Sequence, residues 1–298
     1  MTKRYDVRFP SGSVDCSAWF YEGAVGAPVI VMGHGLGGVK SMRLDAFASR
    51  FAAEGYSCLV FDYRHFGDSE GEPRQLLDID RQLQDWASAI AYARSRGSES
   101  GSDSVVLWGT SFGGGHVIVA AARDGGVAAV VSQCPFTDGV ASALATSPLV
   151  AARVTARAVR DRVGSLLGRE PTFIPLAGPP GSTALMSASD ALDGYLALVP
   201  EGKTFRNEVL ARVGLDIPLR RPGRHAGKVT CPIMFSVCET DTVAPAKATL
   251  RHAKRAPKGE VVVYPDGHFD IYVGDAFDRV VVDQIEFLSR VAPAVKPQ

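Results

Sequence analysis

Apolar residues in this chain gather into short unbroken runs separated by amphipathic stretches, and few folds accept that alternation. The runs are Pro28–Met32, Ser57–Phe61, Val105–Trp108, Val127–Ser132, Ile233–Val237 and Glu260–Tyr264. Each is too short for a helix and apolar at nearly every position, the pattern of a strand buried on both faces. Between them the period changes. Met42 to Glu54 places Leu44, Phe47, Ala48 and Phe51 on one helical face, with Gly55 as its stop. Leu77 to Arg96 aligns Ile79, Leu83, Trp86, Ala87 and Ile90, and Phe112 to about Arg123 forms another helix. A last helix carries Phe277, Val280, Val281, Ile285 and Leu288. Strands alternating with helices in this way predict an α/β fold with a doubly wound, mostly parallel sheet. Tyr5–Phe9 and Val14–Tyr21 alternate around the turn Pro10–Ser13, which adds an antiparallel N-terminal hairpin.

One long stretch breaks the alternation. Residues 137–228 hold an Ala/Val/Arg-rich helical segment, then Pro171, Pro175, Pro179 and Pro180, then a helical piece near Ala191 to Leu198, with no buried-strand run. A structureless loop of that length is rare in a compact domain. The expected organisation is therefore a core of residues 1–136 and 229–298, with 137–228 inserted as a helical cap over the carboxyl edge of the sheet.

Composition narrows the partners. The formal net charge is zero, so no long-range field draws in nucleic acid or an anionic membrane. No apolar run approaches the roughly eighteen residues of a membrane span. The polar start Met1–Asp6 leads into no apolar segment of a signal peptide. Cys16, Cys58, Cys134, Cys231 and Cys238 are odd in number and mostly lie in or beside strand-like runs, which suits reduced thiols in a cytoplasmic protein. Neither Cys-x-x-Cys nor His-Glu-x-x-His occurs, so no metal site is expected.

In sheets of this type, reactive groups collect on loops beyond the carboxyl ends of the strands. Gly109-Thr110-Ser111-Phe112-Gly113 stands between a strand and a helix, the context of a nucleophile elbow. A serine hydroxyl needs a base, and of six histidines only His268 follows the last strand. His116 lies inside a helix, and His252 sits in a Lys/Arg-rich helix that reads as a solvated face. A carboxylate must orient the base. Asp241, in the loop after Ile233–Val237, is the first choice; Glu239 and Asp138 are its rivals. Two fixed N–H donors must face the developing oxyanion. Phe112 supplies one from the start of its helix, and Leu36 in Gly33–Gly38 the other. That glycine-rich loop lacks the Lys-Ser/Thr of a P-loop and the spacing of a dinucleotide site.

With His34-Gly35, the Ser111 pentapeptide, Asp241 in an Asp-x-x-x-Pro turn and Gly267-His268, the chain resembles the α/β-hydrolase superfamily over nearly its whole length. The order Ser, Asp, His is that superfamily's. Gly33–Gly37, Asp62–Ser69 and Gly267–Asp270 resemble a bacterial branch similar to fungal polyketide transferases. One departure is Glu239, where many relatives carry glycine.

The resemblance implies a serine esterase or thioesterase working through an acyl-enzyme, without metal or cofactor. An acyltransferase passing the group to an alcohol or amine would use the same residues. The implied partner is a small ester or thioester, with acyl-CoA or a carrier-protein thioester included, and a homo-oligomer is allowed. Leu144, Leu149, Val150 and Leu185 are candidates to line an acyl pocket or to pack the cap onto the core. Arg153, Arg157 and Arg160 share one helical face, either solvated or docking an anionic leaving group.

Overall fold

A computed structural model describes residues 3–294. Its main sheet has the strands β1 (Arg4–Ser11), β2 (Val14–Tyr21), β3 (Val29–Gly33), β4 (Ser57–Phe61), β5 (Val105–Thr110), β6 (Ala129–Gln133), β9 (Ile233–Cys238) and β10 (Gly259–Tyr264). Their spatial order is β1-β2-β4-β3-β5-β6-β9-β10. The hairpin β1–β2 joins β4 antiparallel, and every pair from β4 onward is parallel. Helices α1 (Leu44–Ala53), α2 (Ile79–Glu99), α3 (Phe112–Asp124), α8 (Ala246–Ala253) and α9 (Gly274–Val291) cover the sheet.

The central strands β3, β4, β5 and β6 are buried at every position, as their unbroken apolar runs require. Each such aliphatic side chain contributes about 1.5–3 kcal/mol through removal from water. β10 departs from this pattern. It lies at one edge of the sheet, and Val261 and Val263 remain 42% and 49% exposed. Its apolar run is therefore covered on one face only. Helix ends follow local chemistry: α2 starts at Ile79 because the Asp78 side chain accepts from the amides of Asp80 and Arg81. α1 starts at Leu44, two residues later than expected, after Arg43 turns left-handed at φ 69°.

Between β6 and β9 the chain leaves the sheet. It forms α4 (Gly139–Ala145), α5 (Pro148–Leu166), β7 (Phe173–Pro175), α6 (Ala191–Leu196), β8 (Glu208–Leu210) and α7 (Val213–Asp216). β7 and β8 pair antiparallel, a small second sheet that the sequence reading did not expect. Three-residue strands are too short to leave a periodic signal. Asp161 of α5, fully buried, accepts from the amides of Thr172 and Arg212 and pairs with the Arg212 guanidinium at 2.6 Å. That one carboxylate ties α5 to the segments on either side of the small sheet.

The strand register prepares the site. Gly33 of β3 sits opposite Gly109 of β5, so the loop after β3 meets the turn after β5. Cys238 of β9 sits opposite Tyr264 of β10, which brings the two following loops together. Thr240 N–H then donates to the Asp266 carbonyl across them. The five cysteines are free thiols. Among the described residues, no helix is long and apolar enough to cross a membrane, and no group of three or more His, Cys, Asp or Glu could hold a metal ion.

Candidate active site

Ser111 occupies a backbone conformation that side chains rarely adopt, φ 55° and ψ −117°. Its neighbours explain how the turn closes. A Cβ on Gly109 would meet the Gly113 carbonyl oxygen at 2.3 Å, and one on Gly113 would meet the His34 carbonyl oxygen at 2.5 Å. Both contacts are with backbone, so neither can yield. The elbow is held by Ser111 N–H to Gln133 O at 2.8 Å and Phe136 N–H to Ser111 O at 2.8 Å.

His268 Nε2 lies 3.0 Å from Ser111 Oγ, and His268 Nδ1 lies 2.7 Å from Asp241 Oδ2. The imidazole and the carboxylate are 2% and 1% exposed. Burial by itself disfavours the imidazolium, but the Asp241 carboxylate beside it prevails, and the His268 pKa is raised well above its ordinary value. The other Asp241 oxygen accepts from the amides of Val243 at 2.8 Å and Ala244 at 2.6 Å. The carboxylate thus cannot rotate without losing both bonds.

The rivals lie elsewhere. Glu239 is exposed. Asp138 caps α4 through the amides of Val140 and Ala141, and its second oxygen faces Arg251 at 2.9 Å and His252 at 3.5 Å. His252 corrects the sequence reading: it is buried, not solvated, because α8 packs against residues 222–228 and its ring presses on Gly223. His116 is buried too, with Nε2 2.9 Å from Gln82 Oε1. His34 serves the loop instead. Its Nδ1 accepts from Gly35 N–H and its Nε2 donates to Met42 O, and burial lowers its pKa to about 4, so the ring is neutral.

The loop after β3 presses on the nucleophile. A Cβ on Gly35 would come within 2.8 Å of Ser111 Cβ and 3.2 Å of its Oγ. Leu36 follows, and among the described residues its N–H has no hydrogen-bond acceptor. Phe112 begins α3, so its N–H has no carbonyl one helical turn back. Two backbone donors thus flank the serine, a setting suited to an anionic oxygen.

Above Ser111 opens a cavity of about 410 Å³. Leu36 and Phe112 border it beside the serine, and Phe136, Val150, Leu185 and Ile217 form part of its wall. None of its lining residues is charged. Val150 and Leu185 line this cavity. Leu144 and Leu149 do not: they are 82% and 59% exposed. Helix α5 turns Val150, Val154 and Ala158 inward, which sends Leu149 outward. Arg153, Arg157 and Arg160 are exposed on α5.

Sequence reasoning missed Tyr195 of α6, whose hydroxyl donates to the Leu36 carbonyl at 2.8 Å. A tyrosine in a six-residue helix remote from every motif gave no signal.

A family model described as alpha/beta hydrolase fold matches residues 28–275. The quorum-quenching protein AidA of Acinetobacter baumannii is 57% identical over 97% of this chain and 95% of its own length. The thiohydrolase aneE of Aspergillus aculeatus is 26% identical, covering 91% of this chain and 88% of its own. The polyketide transferase ATR5 of Stachybotrys chlorohalonatus is also 26% identical, over 97% of each chain.

Proposed function

Since the chain belongs to the alpha/beta hydrolase fold family, we propose that it is a serine hydrolase that cleaves a carboxylic ester or thioester. The observation that carries this reading is the line of hydrogen bonds from Ser111 through His268 to Asp241, at 3.0 and 2.7 Å, opening into an uncharged cavity.

Ser111 Oγ attacks the acyl carbon while His268 Nε2 takes its proton. The carbonyl oxygen gains the charge and receives the N–H groups of Leu36 and Phe112. Its C–O bond reforms as the alcohol or thiol leaves, protonated by His268, and an acyl-Ser111 ester remains. Water, deprotonated by the same imidazole, releases the acid and restores the serine. Asp241 holds the Nδ1–H tautomer throughout.

Residues 137–228 act as a cap that selects the acyl group. Without charged lining, the cavity suits an apolar acyl chain, since a carboxylate or phosphate there would lose its hydration without a counter-charge. An acyl thioester of a phosphate-bearing carrier would therefore keep its phosphates outside. The quorum-quenching relative extends the reading to a small signal molecule with an ester or thioester bond. The polyketide transferase relative supports a second reading, transfer of the acyl group to an alcohol or amine by the same residues.

A fluorophosphonate probe should label the wild-type protein and not Ser111→Ala; an unlabelled wild type would sink the mechanism. Product analysis with an added alcohol then separates hydrolysis from transfer.

A further inference from the structure

Three loops meet around Ser111, and one short segment of the β6–β9 excursion touches all of them. Asp190 Oδ1 accepts from the hydroxyl of Thr242, the residue after Asp241, at 2.7 Å. Gly194 lies against the ring of Phe269, the residue after His268, so closely that a Cβ there would come within 2.7 Å of it. Tyr195 donates to the carbonyl of Leu36 itself. The tyrosine is 3% exposed and its ring meets Phe205 and Phe269 edge-on, with centroids 5.7 and 6.2 Å away.

The Leu36 carbonyl has no other hydrogen-bond donor among the described residues. The other bonds of its loop, Gly35 N–H to His34 Nδ1 and Gly38 N–H to Gly35 O, leave the Leu36 carbonyl itself unheld. Glycines stand at 35, 37 and 38, and Gly37 adopts φ +64°. Such a backbone has several conformations to choose from. The Leu36 N–H and C=O lie in successive peptide planes joined at its Cα, so a donor fixed to the carbonyl narrows the orientations of Leu36 that its flanking bonds allow, and with them those of its N–H. A hydrogen bond from a buried, aromatic-packed hydroxyl is such a donor.

We propose that Tyr195 is a positioning residue for the oxyanion hole, so that Ser111 reacts at full rate only while α6 is seated on the Leu36 loop. This rests on the role given above to the Leu36 N–H. The cap thereby takes part in turnover as well as in substrate choice.

The bland alternative is a tyrosine hydroxyl that merely satisfies a buried carbonyl, and the test separates the two. Tyr195→Phe keeps the ring and removes the bond. Hydrolysis of a p-nitrophenyl ester is followed together with inhibition by an alkyl trifluoromethyl ketone, whose adduct with Ser111 carries a negatively charged oxygen. The expected result is kcat about tenfold lower, with KM within twofold. The ketone inhibition constant should rise by about the factor that kcat/KM falls. Phe205→Leu loosens the same packing but keeps the bond; it should lower Tm and leave kcat within twofold.

Unchanged kcat and ketone affinity in Tyr195→Phe would overturn the proposal, whatever happens to Tm. So would an equal loss of kcat in Phe205→Leu, which would mean general loosening. Fluorophosphonate labelling keeps the two levels apart. A wild type that is not labelled defeats both the mechanism and this inference. A labelled wild type with an unaffected Tyr195→Phe defeats this inference alone.

Discussion

Replacing Asp241 by asparagine changes one atom and should nearly abolish turnover. The structure says how. Oδ1 of Asp241 accepts two amides, Val243 at 2.8 Å and Ala244 at 2.6 Å. In Asp241→Asn the side-chain carbonyl must take that seat, which turns the NH2 group toward His268 Nδ1, 2.7 Å away in the parent protein. Nδ1 then becomes an acceptor and the ring proton moves to Nε2, where it faces Ser111 Oγ and blocks proton removal. Flipping the amide would rescue the tautomer but leave two backbone N–H groups unpaired, at about 1–3 kcal/mol each. At about 1.36 kcal/mol per factor of ten, that penalty confines the competent form to between about 1 in 30 and about 1 in 3 × 10⁴. Loss of the charge that stabilises the imidazolium adds to it, so a fall in kcat of about 10³–10⁴ is expected. Ester hydrolysis, normalised to protein of native circular dichroism, is the assay. A folded Asp241→Asn that loses less than tenfold would refute the reasoning. So would a greater loss in Asp138→Asn, whose carboxylate serves α4, Arg251 and His252.

The pH dependence follows from the raised His268 pKa: the base must be neutral, so kcat/KM should climb with pH through a value above 6.5 and level off beyond it. A limb centred below 6.5 would contradict this. Stability runs the other way, because a group with a raised folded-state pKa contributes below its unfolded value and loses that contribution as pH rises. The Tm difference between wild type and His268→Gln should therefore shrink over the interval in which activity grows; a constant difference would argue against the link. Gly35→Ala should cost kcat about a hundredfold or more, because the new Cβ would displace a group the mechanism needs within hydrogen-bond reach. A fully active, folded Gly35→Ala would show that the loop after β3 stands further from Ser111. Lys40→Met removes the ammonium 2.7 Å from Asp62, where both side chains are almost wholly buried. Leaving that carboxylate unpaired should cost about 3–5 kcal/mol in urea unfolding, and a change under about 1 kcal/mol would disprove the pairing.

The sheet was legible because β3, β4, β5 and β6 are buried on both faces, and such strands announce themselves as unbroken apolar runs. β10 showed the limit: Val261, Val262 and Val263 look like a central strand although the strand lies at the edge. Composition does not reveal whether a neighbour arrives on the far side. Chain order brought Ser111, His268 and Asp241 to the ends of separate strands, and the fold places those ends together. The excursion was opaque for a different reason. Which face of α5 turns inward depends on Asp161 meeting Arg212, fifty-one residues away in sequence. Leu149 and Val150 are adjacent and equally apolar, yet only one lines the cavity. His252 misled because its helix is basic in composition, while its inward face is chosen by Gly223 and Asp138. Tyr195 had no local mark at all, since its partner is a carbonyl.

Strands β6 and β9 pair directly, Val130 with Ile233, although roughly a hundred residues intervene. Closing that excursion costs entropy that grows only with the logarithm of its length, so halving or doubling it would change the cost by about 0.6 kcal/mol. Against a total stability of about 5–15 kcal/mol, that is a small matter. On closure entropy alone an excursion of quite different size could replace this one, provided that something still backs α8 and His252 where residues 222–228 do now. The exchange is not wholly free. Whatever segment takes the place of α6 must still hold the Leu36 carbonyl, or the glycine-rich loop must be stiffened by some other means.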